Sequence, residues 1–117
     1  MEYLLATASV HTTAAAADWL ADRLGPDDRV TVLGVVESGN DRDVEDALNV
    51  ARVRLPDADL RTERREGVPD REILAAVDSL GANHVLLGLH QPGGSGLGTT
   101  TAAVLVEAGV PVTVLPE

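Results

Sequence analysis

Cysteine and lysine are both absent from this chain of 117 residues, and aromatic side chains are scarce, with one Trp, one Tyr and no Phe. The lack of cysteine excludes disulfide bonds, thiolate nucleophiles and metal centres held by cysteine. The lack of aromatic side chains means that a core must be built from Val, Leu, Ile and Ala. Each fully buried Val or Leu contributes roughly 1.5–3 kcal/mol, so many small contacts must replace a few large ones.

Long apolar segments are missing as well. No apolar run approaches the roughly 18 residues of a membrane-spanning helix, and no charged-then-apolar leader opens the chain. We therefore expect a cytoplasmic protein. A length of 117 residues fits one domain, so residues 1–117 are predicted to fold as a single unit.

Negative charge dominates the ionisable groups, and the formal net charge is −10. A surface this acidic repels nucleic acid and anionic lipid, so we expect neither nucleic acid nor a membrane as a partner. Self-repulsion is screened in concentrated salt, where the Debye length falls to about 3 Å at 1 M. The charge therefore predicts a halophilic protein from a salt-rich cytoplasm, and the alternative is an ordinary acidic protein.

Strands and helices alternate along the whole chain. Apolar, β-branched runs predict buried strands, and one charged run with alternating polarity predicts a strand at a sheet edge. The predicted strands span residues 3–8, 29–36, 58–66, 84–88 and 110–115. Strands that alternate with helices imply right-handed crossovers and an α/β fold, with a parallel sheet covered on both faces.

Helical periodicity and capping residues predict the four connecting helices. Thr12 or Thr13 is expected to cap the first helix, and Asp41 or Asp43 the second. The third helix follows Pro69, and the fourth spans residues 99–108. Ligands of parallel sheets bind beyond the carboxyl ends of strands where the strand order reverses, which directs attention to the turns after strands one, two and four.

Small residues crowd the segment 93–101, which reads Gly-Gly-Ser-Gly-Leu-Gly-Thr-Thr-Thr. Glycine permits close backbone approach, and the free N–H groups at the start of the following helix form an anion site. The segment therefore predicts phosphate binding, with an ordinary loop and a threonine cap as the alternative. It lacks the Gly-Lys-Ser/Thr of a P-loop and the glycine spacing of a Rossmann fingerprint.

Four stretches of the chain resemble the universal stress protein family, and the resemblance covers nearly the whole length. Residues 67–73 are similar to the family's turn into its third helix, and residues 81–88 to its fourth strand. Gly98-Thr99 before a helix, and residues 110–114 after it, are similar to its C-terminal signature. The resemblance implies a five-stranded parallel sheet of order 3-2-1-4-5, which is adenine nucleotide alpha hydrolase-like or Rossmann-like.

The family includes nucleotide-binding members, so the resemblance implies ATP or AMP, with magnesium, as candidate ligands. Two departures favour a protein without a nucleotide. Ala8 stands where binding members have Asp. In the glycine motif, Gln91 stands at the second glycine if Gly88 is the first, and Val85 stands at the first glycine if Gly88 is the second. The resemblance also implies a homodimer through the last strand. The predicted binding residues are Ala8, Ser9, His11, Val36, Gly88, His90, Gly94, Ser95, Gly96, Gly98, Thr99 and Thr100, and the predicted dimer residues are Val110, Val112, Thr113, Val114 and Leu115.

Three functions remain open at this point. The first is a regulatory domain that holds a nucleotide or phosphate weakly after strand four. The second is a dimeric interaction module of the same fold without a nucleotide. The third, a slow nucleotidase, has the least support because no base–nucleophile pair or metal cluster is apparent. His11 and His90 follow neighbouring strands and are either a shared anion or metal site or two solvated histidines.

Overall fold

The computed structural model describes residues 1–88 and 98–116, which form a five-stranded parallel sheet with four connecting helices. The strands are β1 (Glu2–Ala6), β2 (Arg29–Val36), β3 (Asp59–Glu66), β4 (His84–Gly88) and β5 (Val112–Leu115). The helices are α1 (Val10–Ala21), α2 (Asp41–Arg54), α3 (Pro69–Leu80) and α4 (Thr99–Glu107). The sheet order is β3-β2-β1-β4-β5, so the predicted α/β fold and strand order are confirmed.

Three strands are shorter than predicted. Strand β3 begins at Asp59 rather than at Ala58, and β1 and β5 are shortened for local reasons. The chain leaves β1 at Ala6 rather than at Ala8, because the Thr7 hydroxyl donates to the Ser9 carbonyl at 3.0 Å and turns the backbone. The last strand begins at Val112 rather than at Val110. Pro111 has no N–H to donate, and only its carbonyl joins the sheet, where it accepts from the Val85 N–H at 3.0 Å.

Both predicted helix caps were wrong. Ser9, rather than Thr12 or Thr13, caps α1, and its hydroxyl accepts from the Thr12 N–H at 3.1 Å. Asp41 and Asp43 lie inside the first turn of α2, where negative charge favours the helix. Asn40 holds the cap position, but its side chain turns back to the strand and accepts from the Glu37 N–H at 2.7 Å.

The core consists of two aliphatic layers, one on each face of the sheet. Helices α1 and α2 cover one face and α3 and α4 cover the other. Leu5 belongs to the first layer and Leu4 to the second, as alternation along β1 requires. The largest fully buried side chains are Leu, Val and Thr, so the predicted aliphatic core is confirmed.

The few aromatic rings of the chain gather at the amino-terminal end of the sheet. The His84 ring lies 5.6 Å from both the Tyr3 and the Trp19 ring, and its Nε2 is 2.7 Å from the Thr113 hydroxyl. Burial lowers the pKa of His84 below its ordinary value. These contacts indicate a structural role for His84.

The two edges of the sheet differ in character. At the β3 edge, Arg64 pairs with Asp41 at 2.9 Å and with Glu45 at 2.7 Å, which ties the edge to α2. At the other edge, most of β5 is only half-buried, but the Leu115 side chain is 5% exposed and belongs to the core. The Leu115 side chain is therefore not available for pairing through the β5 edge.

None of the helices in the described parts of the chain combines the length and the apolar character needed to cross a membrane.

Candidate functional site

A cleft of about 460 Å³ opens beyond the carboxyl ends of β1, β2 and β4. Because the chain crosses from β1 to β2 on one side and reaches β4 on the other, the strand order reverses at this point. Parallel sheets bind their ligands at such positions. The volume lies within the roughly 300–1,000 Å³ of small-molecule sites, so this cleft is the candidate functional site.

One wall of the cleft is the turn from β1 into α1, which a network of hydroxyl groups holds in place. The hydroxyls of Thr7 and Thr13 are 3.0 Å apart, and the Thr13 hydroxyl also donates to the Ser9 carbonyl at 3.0 Å. The Ser9 hydroxyl donates to Thr12 Oγ1 at 3.1 Å while it accepts from the Thr12 N–H. These bonds form the turn from the chain's own groups, and Ser9 occupies the cap of α1.

Gly88 is the point where the end of β4 meets both α1 and α4. A Cβ atom at this position would lie 2.8 Å from Thr12 Cγ2 and 3.1 Å from Thr12 Cβ, closer than carbon atoms normally approach. The Thr101 hydroxyl donates to the Gly88 carbonyl at 3.2 Å. Glycine is therefore required here by packing against Thr12, whether or not a ligand is present.

The first turn of α4 forms the wall next to β4. Gly98 holds its cap position and supplies no side-chain hydrogen bond to the first turn. The first N–H groups of an α-helix have no partner within the helix, and negative groups are favoured beside them. Thr100 and Thr101 of this turn line the cleft. The wall can receive an anionic group, whereas the start of α1 is capped by Ser9.

The opposite wall is acidic. Glu37 follows the end of β2, and Asp43 and Asp46 lie three residues apart on α2, which places them on one helix face. None of the ion pairs within residues 1–88 and 98–116 involves these three carboxylates. Among the described lining residues, His11 is the one side chain that can become cationic. The cleft thus has a donor-rich end at α4 and an acidic end at α2.

The structure brings several of the predicted binding residues together. Ala8, Ser9, His11, Gly88 and Thr100 all line the cleft. Val36 instead borders a neighbouring shallow depression between the ends of β2 and β3. Gly98 and Thr99 lie at the start of α4, but they are not lining residues.

Four predicted residues, His90, Gly94, Ser95 and Gly96, lie outside the described residues. The predicted pairing of His11 with His90 therefore stays a prediction, as does phosphate binding by the glycine-rich segment. His11 itself is exposed on the first turn of α1 and lines the cleft.

Sequence reasoning did not identify Thr12, Thr101, Asp43 and Asp46 as site residues. The two aspartates carried one usable signal, a spacing of three on a helix that directly follows a strand end. The two threonines carried no such signal, because a threonine in a first helical turn is ordinary. Within the described ranges, no three His, Asp or Glu side chains are grouped so that they could hold a metal ion.

The model of the universal stress protein family matches residues 40–116. This chain belongs to the universal stress protein family. The match includes α2, with its cleft-facing acids, and every later element through β5. No curated protein matches this universal stress protein significantly in sequence.

Solved structures support the same fold. This universal stress protein is 17% identical to one in complex with cAMP, with a TM-score of 0.74 and coverage of 99% of this chain and 96% of that chain. It is also 17% identical to one from Archaeoglobus fulgidus in complex with dAMP, with a TM-score of 0.69 and coverage of 98% and 97%. For UspA from Lactobacillus plantarum the identity is 17%, the TM-score 0.67 and the coverage 98% and 97%.

Proposed function

We propose that this chain is a cytoplasmic regulatory domain that binds a nucleotide or phosphate weakly in the cleft between β1, β4 and α4. The observation that carries the proposal is the first turn of α4, which receives no side-chain hydrogen bond from its cap residue, Gly98, and borders a cleft of about 460 Å³. Relatives of the same fold in complex with cAMP and with dAMP support a nucleotide as the ligand class.

The distribution of donors and acids orients the proposed ligand. A phosphate group is favoured at Thr100 and the N–H groups beside it, because the helix dipole is positive there. Donor groups of a ribose or a base are favoured at the opposite end, where Glu37 can accept hydrogen bonds. The ligand would therefore lie across the end of β1, with its phosphate toward β4.

Weak binding is expected for two reasons. Ala8 leaves the β1 turn without a carboxylate that could hold a nucleotide, although it lines the cleft. No described lining residue is an arginine, so phosphate would be held by neutral N–H and hydroxyl donors. Such donors supply neither the opposite charge nor the bidentate pairing that an arginine guanidinium gives to phosphate.

Calorimetry with AMP, cAMP, ATP and inorganic phosphate, with and without magnesium, tests the proposal. Two variants of Thr100 test whether the phosphate binds at this residue. Asp and Asn have nearly the same shape, so the variants differ mainly in charge. Thr100→Asp adds a negative charge where the phosphate is expected and should abolish binding, while it favours the helix start. Thr100→Asn leaves the charge unchanged and should retain binding.

The absence of heat with all four ligands for the wild-type chain would overturn the proposal. Equal binding by the Thr100→Asp and Thr100→Asn variants would show that the phosphate is held elsewhere. Circular dichroism of both variants checks that the helical content is unchanged.

A second candidate, a dimeric interaction module without a nucleotide, is favoured by the open β5 edge. Val112, Thr113 and Val114 are half-buried there, and Leu105 and Val106 on the neighbouring α4 are 40% and 84% exposed. An edge strand offers unpaired backbone groups to another strand. Because β5 spans only Val112–Leu115, pairing through it is short, and the predicted dimer residue Val110 lies outside the strand.

Sedimentation at micromolar concentration tests this candidate. A mass of two chains that falls to one chain in the Val114→Pro variant supports pairing through β5, because proline removes a backbone donor from an edge strand. A wild-type mass of one chain excludes it.

We further propose that the protein works in a salt-rich cytoplasm, on the basis of its net charge of −10. Screening of the mutual repulsion predicts that the melting temperature rises between 0.1 M and molar KCl. A melting temperature that does not rise over this range refutes the proposal.

A further inference from the structure

We infer that Glu37, Asp43 and Asp46 make the cleft select ligands of low negative charge, so that a nucleoside monophosphate binds more tightly than the triphosphate. The inference rests on the proposed nucleotide function and names the charge class of the ligand. Its basis is the uneven neutralisation of the acidic groups on α2.

Helix α2 carries two acidic faces with different surroundings. Asp41 and Glu45 face β3, where Arg64 pairs with both of them at 2.9 Å and 2.7 Å. Asp43 and Asp46 face the cleft, and no described cation pairs with them. Glu37 at the end of β2 adds a third carboxylate to the same wall. The charge of α2 is thus compensated on its outer face and uncompensated where a ligand would lie.

The described lining of the cleft contains no arginine that could offset this charge. All nine basic residues of the chain are Arg, and none of them lines the described cleft. The sequence of residues 89–97, Leu-His-Gln-Pro-Gly-Gly-Ser-Gly-Leu, contains no Arg either. Its one ionisable base is His90, so this segment adds no permanently positive group wherever it lies.

The size of the cleft sets the strength of the selection. Charges at opposite ends of a cleft of this volume lie about 10 Å apart, which is one Debye length at 0.1 M salt. ATP carries about two more negative charges than AMP near neutral pH, since the second pKa of a terminal phosphate is about 6. Repulsion of those charges by three carboxylates weakens ATP relative to AMP by roughly fivefold at 0.1 M salt. At 1 M salt the same repulsion is almost fully screened.

Competition between AMP and ATP, in EDTA so that no metal offsets the charge, tests the inference by calorimetry. The measured quantity is the ratio of the ATP to the AMP dissociation constant. We expect a ratio of about five in 0.1 M KCl for the wild-type chain. The Asp43→Asn/Asp46→Asn variant should lower it to about two, because one carboxylate of three remains.

A matched control separates the cleft charges from the net charge of the protein. Asp22→Asn/Asp57→Asn removes the same two charges from exposed positions after α1 and α2, at the opposite end of the sheet. This variant should keep the wild-type ratio. In 1 M KCl, where the repulsion is screened, all three proteins should show a ratio near one.

Three results overturn the inference. If ATP binds as tightly as AMP in 0.1 M KCl, the cleft does not select by charge. If the cleft variant and the control variant have the same ratio of ATP to AMP dissociation constants, the selection arises from the net charge of the protein and not from the cleft carboxylates. If neither AMP nor ATP binds, the inference falls together with the nucleotide proposal, whereas the first two results leave that proposal standing.

Discussion

Replacing Gly88 with alanine would place a methyl group against the side chain of Thr12 in the first turn of α1. The new Cβ would lie 2.8 Å from Thr12 Cγ2 and 3.1 Å from Thr12 Cβ, whereas carbon atoms in contact are normally about 3.5–4.0 Å apart. Thr12 cannot turn away freely, because it is buried and its Oγ1 accepts from Ser9. Overpacking of this kind costs about 1–3 kcal/mol, so we expect a loss of about 2 kcal/mol in the free energy of unfolding.

Urea denaturation of four proteins isolates this contact. The Thr12→Ala variant removes both branches of the side chain that the methyl would meet, and should cost about 1 kcal/mol for its lost hydrogen bond and methyl group. The loss of unfolding free energy in the double variant Thr12→Ala/Gly88→Ala should be smaller than the sum of the two single losses by about 1 kcal/mol.

Gly25→Ala is the matched control for that experiment. A Cβ there meets its nearest atom, Asp28 Oδ2, at an ordinary 3.5 Å, so the variant should be neutral or stabilised by up to about 1 kcal/mol. A Gly88→Ala variant within about 0.5 kcal/mol of the wild type would refute the reasoning, since surface substitutions commonly give changes of that size. Strict additivity of the two substitutions would refute it as well.

Three further substitutions test other features of the described structure. Thr31→Val should raise the free energy of unfolding by about 1 kcal/mol, because Thr31 Oγ1 is buried without a hydrogen-bond partner in the described parts of the chain; urea titration that gives a loss would contradict this. Ser9→Ala should cost about 1 kcal/mol through the lost cap of α1, and thermal melts that show no loss would rule out Ser9 as the cap. The lowered pKa of His84 means that the unfolded chain takes up the proton first. Stability should therefore fall as the pH drops below about 6.5 and through the folded pKa, and His84→Gln should remove this part of the pH profile of urea midpoints; an unchanged profile would show that another group titrates.

Buried strands were the most predictable part of the fold. The bounds of β2 and β4 agree with the prediction to the residue, because long apolar runs have no alternative to burial in a parallel sheet. The capping residues were less predictable, since Ser9, Thr12 and Thr13 all offer a hydroxyl near the start of α1. Side-chain contacts decide between them: the Thr13 hydroxyl donates to the Ser9 carbonyl, and Thr12 packs against Gly88.

The position of the candidate site could be predicted, but its charge could not. The rule for parallel sheets directs attention to the turns after β1, β2 and β4. The described lining residues include Ser9 after β1, Glu37 after β2 and Gly88 at the end of β4. Asp43 and Asp46 resemble any solvated helix face in sequence, because spacing alone does not say which side of α2 the cleft lies on. Only the packing of α2 against the sheet settles that side, by burying Val44 and Leu48 and leaving the two aspartates at the cleft.

The hydrogen bond from the Thr101 hydroxyl to the Gly88 carbonyl joins the first turn of α4 to the end of β4. Because this bond holds the two elements together, a segment of another length in place of residues 89–97 would still connect the same two chain ends. Doubling the length of a connection costs only about 0.6 kcal/mol in closure entropy. A change in the length of this connection should therefore cost the sheet little stability.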